Sequence, residues 1–140
     1  MAILVLGMLG SAADLLLLRH YEDKKQLIPL ALIGTTLVVL AWLGLTGQRA
    51  SLRALQLMMG LFIGAGLIGV GLHFQSNMEF QLEIDPSLQG SKLFLKVLRA
   101  KAPPALAPGV MVQLGLLGLA FTYRHPSLVA SDPQTADKGE

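Results

Sequence analysis

The chain has 140 residues, of which 53% are hydrophobic and only 14% charged, and its formal net charge is +2. Soluble domains carry about 25% charged residues, so this composition is typical of a protein embedded in a bilayer. The basic residues are scattered and form no aromatic-basic cluster that resembles a nucleic-acid surface, which argues against nucleic acid as a partner. The chain has no cysteine, which excludes disulfide frameworks and thiolate metal sites.

Four apolar segments have the length, about 20 residues, that crosses a hydrocarbon core of roughly 30 Å. They cover residues 2–18, 27–45, 54–72 and 106–123. The first has no basic n-region and no small-residue cleavage pattern before Arg19, so we expect it to stay as a helix and not to be removed as a signal peptide. The sequence therefore predicts an all-α integral membrane protein, a compact four-helix bundle that forms one domain over residues 1–125.

Four crossings place both termini on one side of the membrane, and we expect that membrane to be a plasma (inner) membrane. The first and third loops carry more Lys and Arg than the opposite side, but the short second loop, residues 46–53, is purely basic. The rule that basic loops stay in the cytoplasm thus leaves the orientation open. Residues 126–140 have no apolar periodicity and are predicted to form a disordered tail.

The loop of residues 74–105 begins with a segment, 78–84, in which apolar and polar residues alternate. This is the period of a half-buried strand, with four residues on its apolar side: Met78, Phe80, Leu82 and Ile84. Because no second segment of this chain has the same pattern, a strand here would lack a partner for its backbone. We expect an extended arm that lies across helix ends or pairs with a partner or a second copy, unless the segment is helical.

Later in the same loop, Lys92, Lys96 and Arg99 follow one another at i, i+4 and i+7 among leucine and valine residues. This spacing predicts an amphipathic helix at the membrane interface, with cations that extend towards water.

The third apolar segment contains four glycines that would allow close helix packing: Gly60, Gly64, Gly66 and Gly69. No hydrophobic force drives helices together in lipid, so close approach depends on small residues. These glycines could pack the bundle or serve dimerisation. The letters GAGLIG at 64–69 match the dinucleotide-binding fingerprint, but they lie in mid-crossing and follow no strand, so we interpret them as helix packing.

Asp14 lies inside the first apolar segment. A carboxylate at the centre of a bilayer costs at least roughly 2.5 to 3.5 kcal/mol, so we expect it to face the bundle or a wet cavity. One interpretation is a small proton-coupled carrier that uses Asp14 together with Gln113 of the fourth segment. The other is a structural hydrogen bond to Gln113 or Thr35, which would join two helices.

His20 and His73 end the first and third segments, which places them on the same membrane face. Two histidines on different helices could ligate a haem iron, or could hold a divalent metal together with Glu22 and Glu79. Neither CxxCH nor HExxH accompanies them.

The sequence contains no GxSxG or GxxxxGK[ST] motif that would indicate an enzyme. The patterns described above suggest three functions. The first is a non-enzymatic accessory or scaffold subunit that packs against another membrane protein or itself through its glycine faces and the 78–84 arm. The alternatives are a haem- or metal-binding redox protein using His20 and His73, and a carrier using Asp14.

Overall fold

The part of the chain that the structure describes is helical. A computed structural model describes residues 1–19, 21–100, 106–123 and 125. It contains a 3-10 turn, Lys24–Gln26, and five α-helices: α1 (Ala2–Leu17), α2 (Leu27–Thr46), α3 (Arg49–Ile84), α4 (Gly90–Leu98) and α5 (Leu106–Thr122). The described residues form no strand, so the prediction of an all-α protein is confirmed for them. The predicted tail, 126–140, lies outside the described residues.

The four long apolar helices pack in a ring. Both α1 and α3 contact α2 and α5, while α4 contacts only α3 among these helices. All four helices contribute apolar side chains to a common core, including Met8, Leu40, Phe62 and Leu114. The core holds the bundle together along its length, and α4 lies outside it.

Two helical segments, Lys24–Thr46 and Arg49–Ile84, are long and apolar enough to cross a membrane, whereas α1 and α5 are apolar but shorter. Only 22% of the apolar window of each long segment is buried inside the protein, and the other residues are half-buried or exposed. A helix in the core of a soluble protein would instead bury its apolar residues. The outward apolar surface is of the kind that a bilayer covers.

The prediction of an extended arm at 78–84 is wrong, because α3 continues through this segment without a break and ends at Ile84. Each residue added to an existing helix gains a backbone hydrogen bond, whereas a lone strand leaves its N–H and C=O groups unpaired. The buried or half-buried side of this stretch follows helical spacing at i, i+3, i+4 and i+7: Phe74, Asn77, Met78 and Gln81. Burial against neighbouring residues thus follows the helical period, although apolar residues alternate in the sequence.

With 36 residues, α3 is about 54 Å long, and it extends about 18 Å past the end of its apolar run at Leu72. The predicted amphipathic helix is present as α4 and packs on this extension, where the ring centroids of Phe74 and Phe94 are 5.7 Å apart. We call residues 73–100 the headpiece.

Glycines bring α3 and α5 close enough for their backbones to approach. A Cβ added at Gly66 would lie 2.7 Å from the carbonyl oxygen of Pro108, and one added at Gly115 would lie 2.8 Å from that of Met59. In contrast, a Cβ added at Gly64 would meet no neighbouring atom of the described residues within 4 Å. The glycines of α3 therefore belong to two sides of the helix, one packed against α5 and one open.

We expect Gly66→Ala to lower the stability of the bundle by about 1 to 3 kcal/mol, because the new methyl group meets a backbone carbonyl that cannot rotate away. Gly64→Ala, two residues away on the open side, is the matched control. It should raise stability by up to about 1 kcal/mol through the higher helix propensity of alanine. Thermal unfolding in detergent measures both variants, and an equal effect of the two would contradict the packing described.

Candidate functional sites

The predicted haem and metal sites depend on His20, which lies outside the described residues. His73 is half-buried on α3 at the start of the headpiece, and Glu22 is exposed in the loop after α1. Glu79 lies about 9 Å further along α3 and about 120° around it from His73, and its carboxylate accepts a 2.9 Å hydrogen bond from Gln75. Among the described residues no three metal-ligating side chains come together. Haem or metal binding stays a prediction.

Asp14 and Gln113, the two polar residues that the sequence predicted to lie within the membrane, are both exposed on the outside of the bundle. Gly7 lies seven residues before Asp14 on the same side of α1, and a Cβ added there would lie against Leu114 of α5. Further along that side, a Cβ added at Gly10 would have no neighbour within 4 Å in the part of the chain that the structure describes. The structure thus leaves Asp14 on an open part of α1, and within the described chain no hydrogen bond joins it to Gln113.

Polar side chains that sequence reasoning did not single out lie inside the bundle. The amide of Gln56 on α3 donates a 3.4 Å hydrogen bond to the hydroxyl of Thr122 on α5, which donates in turn to the carbonyl oxygen of Leu119. The hydroxyl of Thr36 is buried and has no partner among the described residues. The Gln56 to Thr122 contact adds a polar link to the α3–α5 interface.

The headpiece contains a cleft of about 480 Å³ between α3 and α4. Its lining combines three cations with polar and apolar residues: Lys92, Lys96 and Arg99, with Gln81, Leu88, Leu95 and Ala100. Gln81 is only 9% exposed, and its side-chain amide forms no hydrogen bond within the described part of the chain. Sequence reasoning placed Gln81 on the polar side of a strand and so missed it. A helical interpretation of Phe74, Asn77, Met78 and Gln81 would have found it.

Acidic side chains near the cleft are either turned away or already engaged. Around α3, Glu79 and Glu83 lie about 160° from Gln81, and both are exposed. The Ser87 hydroxyl and backbone N–H donate to Asp85 Oδ1 at 2.6 and 3.1 Å. These bonds, with a smaller contribution from Lys96, hold the pKa of the Asp85 carboxyl below its ordinary value. The cleft therefore presents a net positive charge.

Comparison with known proteins assigns no family to this chain. No protein-family model, no curated protein and no solved structure matches it. Because many functions share one helical architecture, function has to be inferred from particular surfaces of the protein.

We expect Val97→Ala to loosen the headpiece, because Val97 is fully buried on α4, which contacts only α3 among the described helices. Loss of two buried methyl-sized groups should cost about 1 to 2 kcal/mol and increase trypsin cleavage at Lys92 and Lys96 about tenfold. Leu98→Ala is the control, since Leu98 is 39% exposed. Equal cleavage rates of the two variants would contradict the packing of α4 on α3.

Proposed function

We propose that this protein is a multi-pass membrane subunit without enzymatic activity, an accessory or scaffold component that packs against another membrane protein or a second copy of itself. The observation that carries the proposal is the open side of α3. Gly60 and Gly64 lie four residues apart on this side, and none of the described residues has a neighbouring atom within 4 Å of a Cβ added at either one.

This open pair is a small-xxx-small surface that the fold of the single chain leaves unused. Gly66 and Gly69 are accounted for by α5, since an added Cβ at either would collide with it. In a helix interior each glycine costs about 1 kcal/mol relative to alanine, and no contact within the described chain calls for glycine at 60 or 64. A close-packed helix from a partner would need both glycines.

The outward positions of Asp14 and Gln113 support the same proposal. Asp14 lies three residues, about 4.5 Å, before the end of α1, so a lipid-facing carboxylate there costs less than the roughly 2.5 to 3.5 kcal/mol of the bilayer centre. A polar group on a partner would still stabilise it. A carrier would instead place such groups along the interior of its bundle, where a substrate passes. The exposure of Asp14 therefore favours a protein contact over transport.

The proposal takes all four long helices as crossings, with both termini on one face. The helices α1 and α5 have 16 and 17 residues, so they are about 24 to 26 Å long. This length is at the lower limit of what spans a hydrocarbon core. Their exposed side chains include several large apolar ones, such as Leu6, Leu9, Leu116 and Leu117. Outward apolar surface on every helix of the ring is what lipid or a membrane partner would cover.

Substituting both open glycines tests the partner surface. The double variant Gly60→Leu and Gly64→Leu should keep the helical content and the melting temperature of the single chain, because both positions are open. When it is extracted in native membrane particles, the variant should have the mass of a single chain, because the close-packed contact with a partner is lost. Light scattering with size-exclusion chromatography measures that mass. Gly34→Leu is the matched control, because Gly34 lies exposed on α2 with equal free space, and it should keep the assembly. A wild-type chain that is itself a single copy without partners would overturn the proposal.

Replacing Asp14 tests its role at the outer surface. In the single chain, Asp14→Leu should leave the melting temperature unchanged or raise it, because the carboxylate has no partner within the described bundle. In the assembly, loss of a charge-assisted hydrogen bond should weaken association at least about tenfold, measured by dilution in detergent. An assembly of unchanged affinity would show that Asp14 faces lipid and not a partner.

A further inference from the structure

We infer that the headpiece cleft binds the phosphate of an anionic phospholipid headgroup. Three cations on and just after α4 line this cleft together with Gln81 of α3, and apolar side chains border it. The inference rests on the membrane placement of the bundle proposed above, but it does not depend on the protein having a partner subunit.

Lys92 and Lys96 lie on one stripe of α4, and Arg99, the residue directly after the helix, continues this stripe. At 100° per residue, Lys96 and Arg99 fall within about 40° of Lys92 around the helix, and all three line the cleft. Ammonium and guanidinium groups donate strong hydrogen bonds to phosphate oxygens, and a guanidinium can donate two at once. Asp85 interacts with Lys96 only weakly, and its carboxylate accepts hydrogen bonds from Ser87. With three cations against this one carboxylate, the cleft keeps a net positive charge for an anion.

Gln81 supplies the second, independent observation. Its side chain is 91% buried, as its exposed fraction is 9%, yet the amide lines the cleft and has no hydrogen-bond partner in the described chain. The nitrogen and oxygen of this amide keep some contact with water, so they are open to a ligand in the cleft. The amide can donate to a phosphate oxygen and accept from a headgroup hydroxyl. A bound headgroup would therefore supply the hydrogen bonds that water otherwise provides.

The surroundings of the cleft favour a lipid over a soluble phosphate. On α4, Phe94, Leu95 and Leu98 are 51%, 47% and 39% exposed beside the basic stripe. A soluble anion would leave these side chains in water, whereas apolar residues next to cations are typical of a helix at an anionic membrane surface. Only five residues separate Ala100 from the start of α5 at Leu106, so Ala100 cannot lie far from the apolar part of the bundle.

Lipid selection in nanodiscs tests the site. The full-length protein is inserted into discs of equimolar phosphatidylglycerol and phosphatidylcholine, and native mass spectrometry counts the lipids that it retains. We expect the wild-type chain to retain phosphatidylglycerol preferentially, and a Lys92→Gln, Lys96→Gln and Arg99→Gln variant to lose this preference about tenfold or more. The matched control is Arg19→Gln, Lys24→Gln and Lys25→Gln, which removes the same charge from the loop on the same face and should keep the preference.

Three further outcomes separate the explanations. Gln81→Leu changes no charge and should reduce the preference about threefold to tenfold, whereas an unchanged preference would overturn the role of the cleft. Equal losses in the two triple variants would show general surface attraction and overturn the site. Displacement of the lipid by excess inorganic phosphate would overturn the assignment to a headgroup. A chain that does not enter the discs would contradict the membrane placement itself, whereas a chain that enters without lipid preference contradicts only the site.

Discussion

The close approach of α3 and α5 is the constraint on which the rest of the structure depends. Gly66 on α3 and Gly115 on α5 are reciprocal, because each leaves room for the backbone of the opposite helix. This contact fixes the first turn of α5, where Pro108 lies against Gly66 and Gly69. The chain that leaves α3 at Ile84 must therefore return to that level to enter α5. Packing of α4 back along α3 returns the chain towards that level. The arrangement of the headpiece is thus consistent with the position at which the glycine contact holds the start of α5.

Hydropathy predicted three of the helices closely and the fourth only in part. The apolar runs 2–18, 27–45 and 106–123 each end within one residue of α1, α2 and α5, because charged or turn-forming residues follow the apolar ones directly. For α3, the run 54–72 marks only the apolar portion of a helix of 36 residues. Helix continuation depends on backbone hydrogen bonds and on packing against α4, neither of which requires apolar side chains. The alternating pattern of residues 78–84 favours a strand less strongly than these two effects favour a continued helix.

The position of a residue along its apolar helix could be predicted from the sequence, but the direction in which its side chain points could not. Gly64 and Gly66 are two residues apart and equally deep, yet about 200° of helix rotation separates them, so one faces open space and the other faces α5. The same holds for Asp14, whose depth is evident from the apolar run but whose exposure depends on where α5 lies. Which neighbour a side chain faces depends on how the helices pack against one another, and the hydropathy pattern of one sequence does not reveal this. Gln81 was missed because its direction was not evident and because the strand period was assumed for residues 78–84 in place of the helical period.

A single continuous helix connects the two surfaces to which we assign function. Gly64 and Gln81 are 17 residues apart on α3, or about 25 Å, and the helix between them is unbroken. The tilt and rotation of a helix in a bilayer are set by its packing and by its anchors at the interface. A headgroup held at Gln81 would anchor one end of α3 and so fix the angle at which Gly60 and Gly64 meet a partner helix. Anionic lipid and partner binding would then favour the same orientation of α3, and each would strengthen the other.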